Sequence, residues 1–182
     1  MDRVWLASAS PRRRALLGWA GVAVEVHPSH IDETRLPGES PVAYGLRLAA
    51  QKGSTAPPQV LCVAADTVVH RGQVVFDKPR DRDEAVRHLG QLSGGWHVVT
   101  TGVWVSKGTA NAHFAVSTRV RFRSLHQAEI AAYVQTGDAD DKAGAYGLQG
   151  QAGTFVAELN GSWTNVMGLP LEPTLQALTR LG

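Results

Sequence analysis

Val60-Leu61-Cys62-Val63-Ala64-Ala65-Asp66-Thr67-Val68-Val69-His70-Arg71-Gly72-Gln73-Val74-Val75-Phe76 is the stretch on which the fold turns. Val60 to Ala65 is a continuous apolar run, the pattern of a buried strand. Thr67-Val68-Val69 and Val74-Val75-Phe76 then flank a turn at Arg71-Gly72, which predicts a hairpin.

Upstream, Val4 to Ala7 reads as a first strand. Ser10-Pro11 reads as a helix start, with Ser10 as N-cap and Pro11 at the first helical position. Ala15, Leu16, Leu17 and Trp19 give that helix its apolar face, and Gly21 ends it. Val22 to Val26 alternates as a strand, and Ser40-Pro41 repeats the start signal for a helix to about Lys52. Downstream, Asp81 to Leu92 is expected to be helical, with Trp96 to Val105 and Ala112 to Phe122 as longer strands around Lys107-Gly108. Ser124-Leu125-His126-Gln127 has capping-box spacing for a helix to about Gln135. A strand from Thr154 to Leu159 and a helix from about Glu172 close the chain. Strands, helices and hairpins intermix, so the expected class is α/β with a mixed sheet. Loop motifs then fall at strand ends, where ligands usually bind.

At 182 residues the chain fits one domain, or one domain with two lobes. A formal net charge of +2 excludes a general nucleic-acid coat, so anion recognition must be local and no obligatory nucleic-acid partner is expected. The lone Cys62 cannot form an internal disulfide. The start lacks the apolar core of a secretory signal, and no apolar run approaches a membrane span. These features predict a cytoplasmic protein without a membrane partner.

Ser8-Ala9-Ser10-Pro11-Arg12-Arg13-Arg14 is the most informative local stretch. A helix start presents free amides and positive dipole charge, so arginines in the first turn oppose the dipole. A polyphosphate resolves the conflict by bonding amides, serine hydroxyls and guanidinium forks together. The competing reading is a solvated, N-capped surface helix.

Asp66 follows the buried run directly, at what reads as a core strand's end, where a rigid carboxylate can activate water or hold a divalent ion. Asp32-Glu33 is a second acidic pair, and Glu33 with Asp66 could hold Mg²⁺ if the fold brings them together. Only Lys52, Lys78, Lys107 and Lys142 are lysines among 18 basic residues. Lys78 precedes Pro79, and Lys142 opens the stretch Ala143-Gly144-Ala145-Tyr146-Gly147. Lys107 reads as surface. The seven histidines form no helical pair or Cys/His cluster, which argues against zinc, and no Gly-x-Ser-x-Gly elbow supports a serine–histidine hydrolase. His97 reads as a satisfied strand residue.

Leu6-Ala7-Ser8-Ala9-Ser10-Pro11-Arg12-Arg13 closely resembles the opening signature of the Maf-like nucleotide pyrophosphatases. Ala64 to Val69, Asp77-Lys78-Pro79, Leu92 to Val103, Lys142 to Gly150 and Asn165 to Pro170 continue the match in order. The resemblance implies an elongated sheet in two α/β lobes with a cleft between them. It also implies hydrolysis of a nucleoside triphosphate between the α and β phosphates, with Mg²⁺ or Mn²⁺. Asp66 matches the proton acceptor. Arg12, Thr67 and Gln149 match positions tied to substrate choice, and Ser8, Arg13, Glu33, Lys52, Lys78 and Lys142 match other polar positions of the cleft. Ser10 adds its hydroxyl to the same anion site. Asp66-Thr67 and Ala145 to Gly150 resemble the dTTP/UTP branch rather than the 7-methyl-GTP branch. A homodimer is the family expectation. Gly53, where alanine is usual, is expected to loosen the end of its helix, and Phe76-Asp77 before Lys78-Pro79 is a second departure. A nucleotide-binding cell-division regulator and a phosphomonoesterase are the rival functions.

Overall fold

A computed structural model of the chain describes residues 3–182. Strand β1 (Val4–Leu6) leads into helix α1 (Pro11–Trp19), strand β2 (Val24–Val26) and helix α2 (Pro41–Gly53). Strands β3 (Cys62–Arg71) and β4 (Val74–Phe76) precede helix α3 (Arg82–Leu92). Two long strands, β5 (Trp96–Lys107) and β6 (Ala110–Phe122), are followed by helix α4 (Gln127–Gln135). Short 3₁₀ turns at Ala143–Ala145 and Gln151–Phe155 lead to β7 (Val156–Asn160), α5 (Trp163–Val166) and α6 (Leu171–Leu181).

The expected mixed sheet is present, ordered β2-β1-β3-β5-β6-β7, with β4 beside β3. β1 pairs in parallel with β2 and β3, and every other pairing is antiparallel. The runs before and after Asp66 belong to one strand, so Asp66 sits mid-strand opposite Gly102 and not at a strand's end. No Gly or Pro interrupts this run, and a lysine meets the carboxylate from the next layer, so the strand needs no break to accommodate it.

Beside two small clusters around Cys62 and Leu48, two large apolar cores lie along the sheet. Leu6, Leu16, Leu17, Val63, Val105, Leu169 and Leu178 form one, and Leu89, Leu92, Val120, Phe122, Tyr133 and Phe155 the other. β3 contributes Val63 and Ala65 to the first and Val69 to the second; β5 likewise divides Val103 and Val105 from Val99. Full burial of each large side chain contributes about 1.5–3 kcal/mol.

Helix α2 lies against β3 and β5 through glycine. A Cβ on Gly102 would stand 2.4 Å from the Gly45 carbonyl oxygen, so only glycine admits the helix at this distance. Helix α2 takes in Gly53 as its last residue. A Cβ there would fall 2.2 Å from Cδ1 of Trp104, whose ring fills the place an alanine methyl would take.

Helix starts differ in detail from expectation. Ser40 and Asp81 accept from Ala43 N and Glu84 N, as side-chain caps do. Ser10 occupies the N-cap of α1, but its hydroxyl makes no cap bond; its own N–H donates to Ser8 Oγ at 3.2 Å. Helix α4 starts after His126, not Ser124. The Glu129 carboxylate, paired with Arg123, reaches back to His126 N and fixes the later start. Among the described residues no helix is long and apolar enough to cross a membrane.

Candidate active site

A cleft of about 920 Å³ opens between the two cores, with Val69, Val99 and Tyr146 from one and Met167 from the other in its wall. Ser8, Ser10, Arg12, Arg13, Glu33, Lys52, Asp66, Thr67, Lys78 and Lys142 all line it. Gln149 does not: in that segment the wall ends at Leu148.

Asp66 is buried on the floor, and the seating of α2 brings Lys52 over it. Lys52 Nζ donates to Asp66 Oδ1 at 2.6 Å and stands 2.7 Å from Glu33 Oε1. Burial raises the pKa of Asp66, against the opposing pull of Lys52 and Arg13, so this carboxylate binds a proton more readily than an exposed one. Burial also presses on Glu33, but the bond to Lys52 and the charges of Lys52 and Lys78 outweigh it and hold its pKa down. Tyr44 Oη donates to the Glu33 carbonyl at 2.7 Å and fixes that loop; burial pushes the phenol pKa up to about 12.

Asp66 and Glu33 thus address one point, and two carboxylates are the donor set Mg²⁺ commonly takes from a protein. Among the described residues no group of three or more His, Cys, Asp or Glu gathers to hold a metal. The donors therefore fit an ion that completes its shell with phosphates and water, sharing the carboxylates with Lys52.

Arg13 is turned inward. Nε donates to Gly168 O at 2.7 Å, Nη1 to Ser8 Oγ at 2.9 Å and Nη2 to Thr67 Oγ1 at 3.1 Å. Burial lowers its pKa, with Asp66 opposing. Three of the five guanidinium N–H groups hold protein, so two remain for an anion, fewer than the open fork expected from sequence. Ser8 Oγ accepts from both Arg13 and Ser10 N, which leaves its proton free for a ligand. Thr67 is placed oppositely. Thr101 donates to Asn165 O, so the 3.0 Å contact between the threonines takes the Thr67 proton. Thr67 keeps one lone pair and can accept, but not donate.

Lys142 Nζ donates to Asp138 O at 2.5 Å, Asp138 Oδ1 at 3.0 Å and Asp141 Oδ1 at 2.7 Å. A Cβ on Gly147 would lie 2.8 Å from Lys142 Cε, so glycine there makes room for the lysine stem. Asp141 Oδ2 stands 3.6 Å from Arg12 Nη1. Lys78 is an exposed part of the wall.

The family model for Maf-like proteins matches residues 3–181, almost the whole chain. The chain is a Maf-like protein. The dTTP/UTP pyrophosphatase of Anaeromyxobacter dehalogenans (strain 2CP-C) is 48% identical over 184 residues, spanning 99% of this chain and 94% of that protein. Those of Maricaulis maris (strain MCS10) and Chromobacterium violaceum are 47% and 43% identical, each over 99% of this chain, covering 88% and 95% of their own lengths. Among solved structures, the Staphylococcus aureus Ham1 protein aligns at TM-score 0.43 and 11% identity, covering 66% of this chain and 72% of that one.

Sequence reading of this Maf-like chain does not single out Tyr44, Tyr146 or Asp141, although all three line the cleft. Asp141 had a signal, the acidic run ahead of Lys142 with Asp138 at helical spacing from it. Tyr44 had none, because its partner is a backbone carbonyl.

Behind Tyr146 lies His97, buried, with Nε2 at 2.8 Å from Tyr146 Oη but Nδ1 without a partner, so it is only half satisfied. Burial pushes its pKa down to about 3, with Arg71 and His70 adding repulsion. Between about pH 6.5 and about 3 the unfolded chain therefore holds a proton that the folded protein lacks, and stability falls as pH drops through that window. The expected slope from this ring is about 1.4 kcal/mol per pH unit. Burial lowers the pKa values of His70 and His88 too, adding in the same direction. Urea midpoints of wild type and His97→Gln between pH 6.5 and 4.5 should show a shallower loss in the variant; equal slopes would refute the assignment to His97.

Proposed function

We propose that this chain hydrolyses nucleoside triphosphates between the α and β phosphorus atoms, giving a monophosphate and pyrophosphate, with dTTP and UTP as substrates. One observation carries the reading: a buried carboxylate, Asp66, lies on the floor of a cleft whose walls bring Arg12, Arg13, Lys52, Lys78 and Lys142 around it. One buried carboxylate among several cations suits attack by water on a polyanion, where positioning and electrostatics carry most of the rate.

Lys52 fixes Asp66 Oδ1, so Oδ2 is the atom that orients the water and takes its proton. The raised proton affinity of Asp66 makes it a stronger base than an exposed aspartate. The Ser8 hydroxyl and the two spare N–H groups of Arg13 donate to phosphate oxygens, while Lys78, Lys142 and Arg12 offset the charge on the leaving pyrophosphate. A divalent ion, Mg²⁺ or Mn²⁺, held by Asp66 and Glu33 supplies further neutralisation at the phosphates when bound.

The pyrimidine preference rests on the names of relatives at 43–48% identity. We assign the base to the Leu148 end of the cleft, one residue from Gln149. The cytoplasm is the compartment we assign, since triphosphates are spent there and a lone thiol such as Cys62 stays reduced.

Pyrophosphate release from a panel of common and methylated triphosphates tests the reading. The expected result is release from dTTP and UTP that chelator abolishes and Mg²⁺ or Mn²⁺ restores. Release from 7-methyl-GTP alone would keep the reaction and overturn the substrate. Tight binding without release from any triphosphate would make the protein a binding regulator.

A further inference from the structure

Asp141 lies within reach of two of the cleft's cations, and its oxygens are divided between them. Oδ1 is 2.7 Å from Lys142 Nζ and Oδ2 is 3.6 Å from Arg12 Nη1. An ammonium has three N–H groups, and those of Lys142 are all spent, two on Asp138 and one on Asp141. Lys142 therefore has nothing left to give a phosphate until one acidic partner lets go.

The geometry favours Asp141 as the partner that leaves. Asp138 is anchored twice over: both its carbonyl and its carboxylate hold the lysine, and Tyr133 Oη donates to its other oxygen at 3.1 Å. Asp141 has a side chain 63% exposed, against 39% for Asp138. A phosphate group brings more charge and more acceptor oxygens than one carboxylate, and wins the exchange where it can reach both cations. Afterwards the displaced carboxylate stays beside the bound anion and repels it.

We propose that Asp141 is a built-in competitor for the substrate's phosphates. It pairs with Arg12 and Lys142 before substrate binds, yields them to the polyphosphate, and reclaims them as pyrophosphate departs. Asp141 is thus a positioning residue that speeds product release at the expense of affinity. The inference rests on the triphosphate reading above.

Titration calorimetry with inorganic pyrophosphate, alongside steady-state kinetics on dTTP, tests it in wild type, Asp141→Asn and Asp141→Glu. Removing the competing charge is expected to tighten pyrophosphate binding about two- to fivefold, the scale of one charge contact at a largely exposed site. In Asp141→Asn, KM and kcat should fall together and inhibition by added pyrophosphate should strengthen, while Asp141→Glu should return toward wild type. Were Asp141 merely holding Lys142 in place, its loss would weaken pyrophosphate binding. Unchanged or weaker binding in Asp141→Asn, with wild type binding normally, overturns the inference alone. A wild type that neither binds pyrophosphate nor releases it from any triphosphate overturns the triphosphate reading with it.

Discussion

Asp66→Asn is expected to lower kcat for pyrophosphate release by roughly 10²–10⁴-fold while leaving the fold intact. The amide keeps the shape of the carboxylate, and its oxygen can still accept from Lys52 Nζ, which retains Glu33 as a charged partner. What disappears is the only buried carboxylate among the described residues lining the cleft, and with it the group whose burial strengthens it as a base. Initial rates at saturating dTTP, with circular dichroism to verify folding, decide the point. Near-normal kcat in a folded variant would remove Asp66 as proton acceptor and return the water to some other group.

The second large effect lies outside the cleft's chemistry. Gly102→Ala is expected to cost about 3 kcal/mol, at the upper end for overpacking, because what its new methyl meets is backbone that cannot rotate aside. That methyl would stand 2.4 Å from Gly45 O, 2.5 Å from Gly45 C and 2.7 Å from Leu46 N. Helix α2 must lift, and Lys52 lifts with it from Asp66, so activity should fall along with the urea midpoint. Gly45→Ala is the internal control. Its methyl would meet a Val68 side-chain carbon at 3.4 Å, and the milder clash should cost less. Equal midpoints for Gly102→Ala and wild type would refute the close seating of α2.

This dependence on a glycine contact also explains what the sequence could and could not convey. Residue types and order pointed to Asp66 and Glu33, the family resemblance added Lys52, and the structure brings all three together. That one ammonium bridges both carboxylates was not legible, because it depends on how closely a helix approaches a sheet. Asp66 reads as a strand's end because a carboxylate inside an apolar run looks like a break when its counterion lies in a different element. Arg13 reads as an open anion fork because two of its three acceptors, Thr67 Oγ1 and Gly168 O, are 54 and 155 residues away. Helix onsets were mostly legible from Ser-Pro pairs and Asp81. His126 displaced Ser124 only through the Arg123–Glu129 pair. Gln149 belongs to a recognisable motif, yet a motif does not say at which residue a wall stops.

The two cores are not separate bodies joined by a linker. β3, β5 and β6 each run through both, with Val63 and Val69, Val105 and Val99, and Ala112 and Val120 as their respective footholds. Turning one core against the other would bend three hydrogen-bonded strands at once, so any closure of the cleft flexes the sheet and not a linker. Its span is set as the span of an arch is set by its keystones, and the loop side chains along the rim are the parts that frame holds least.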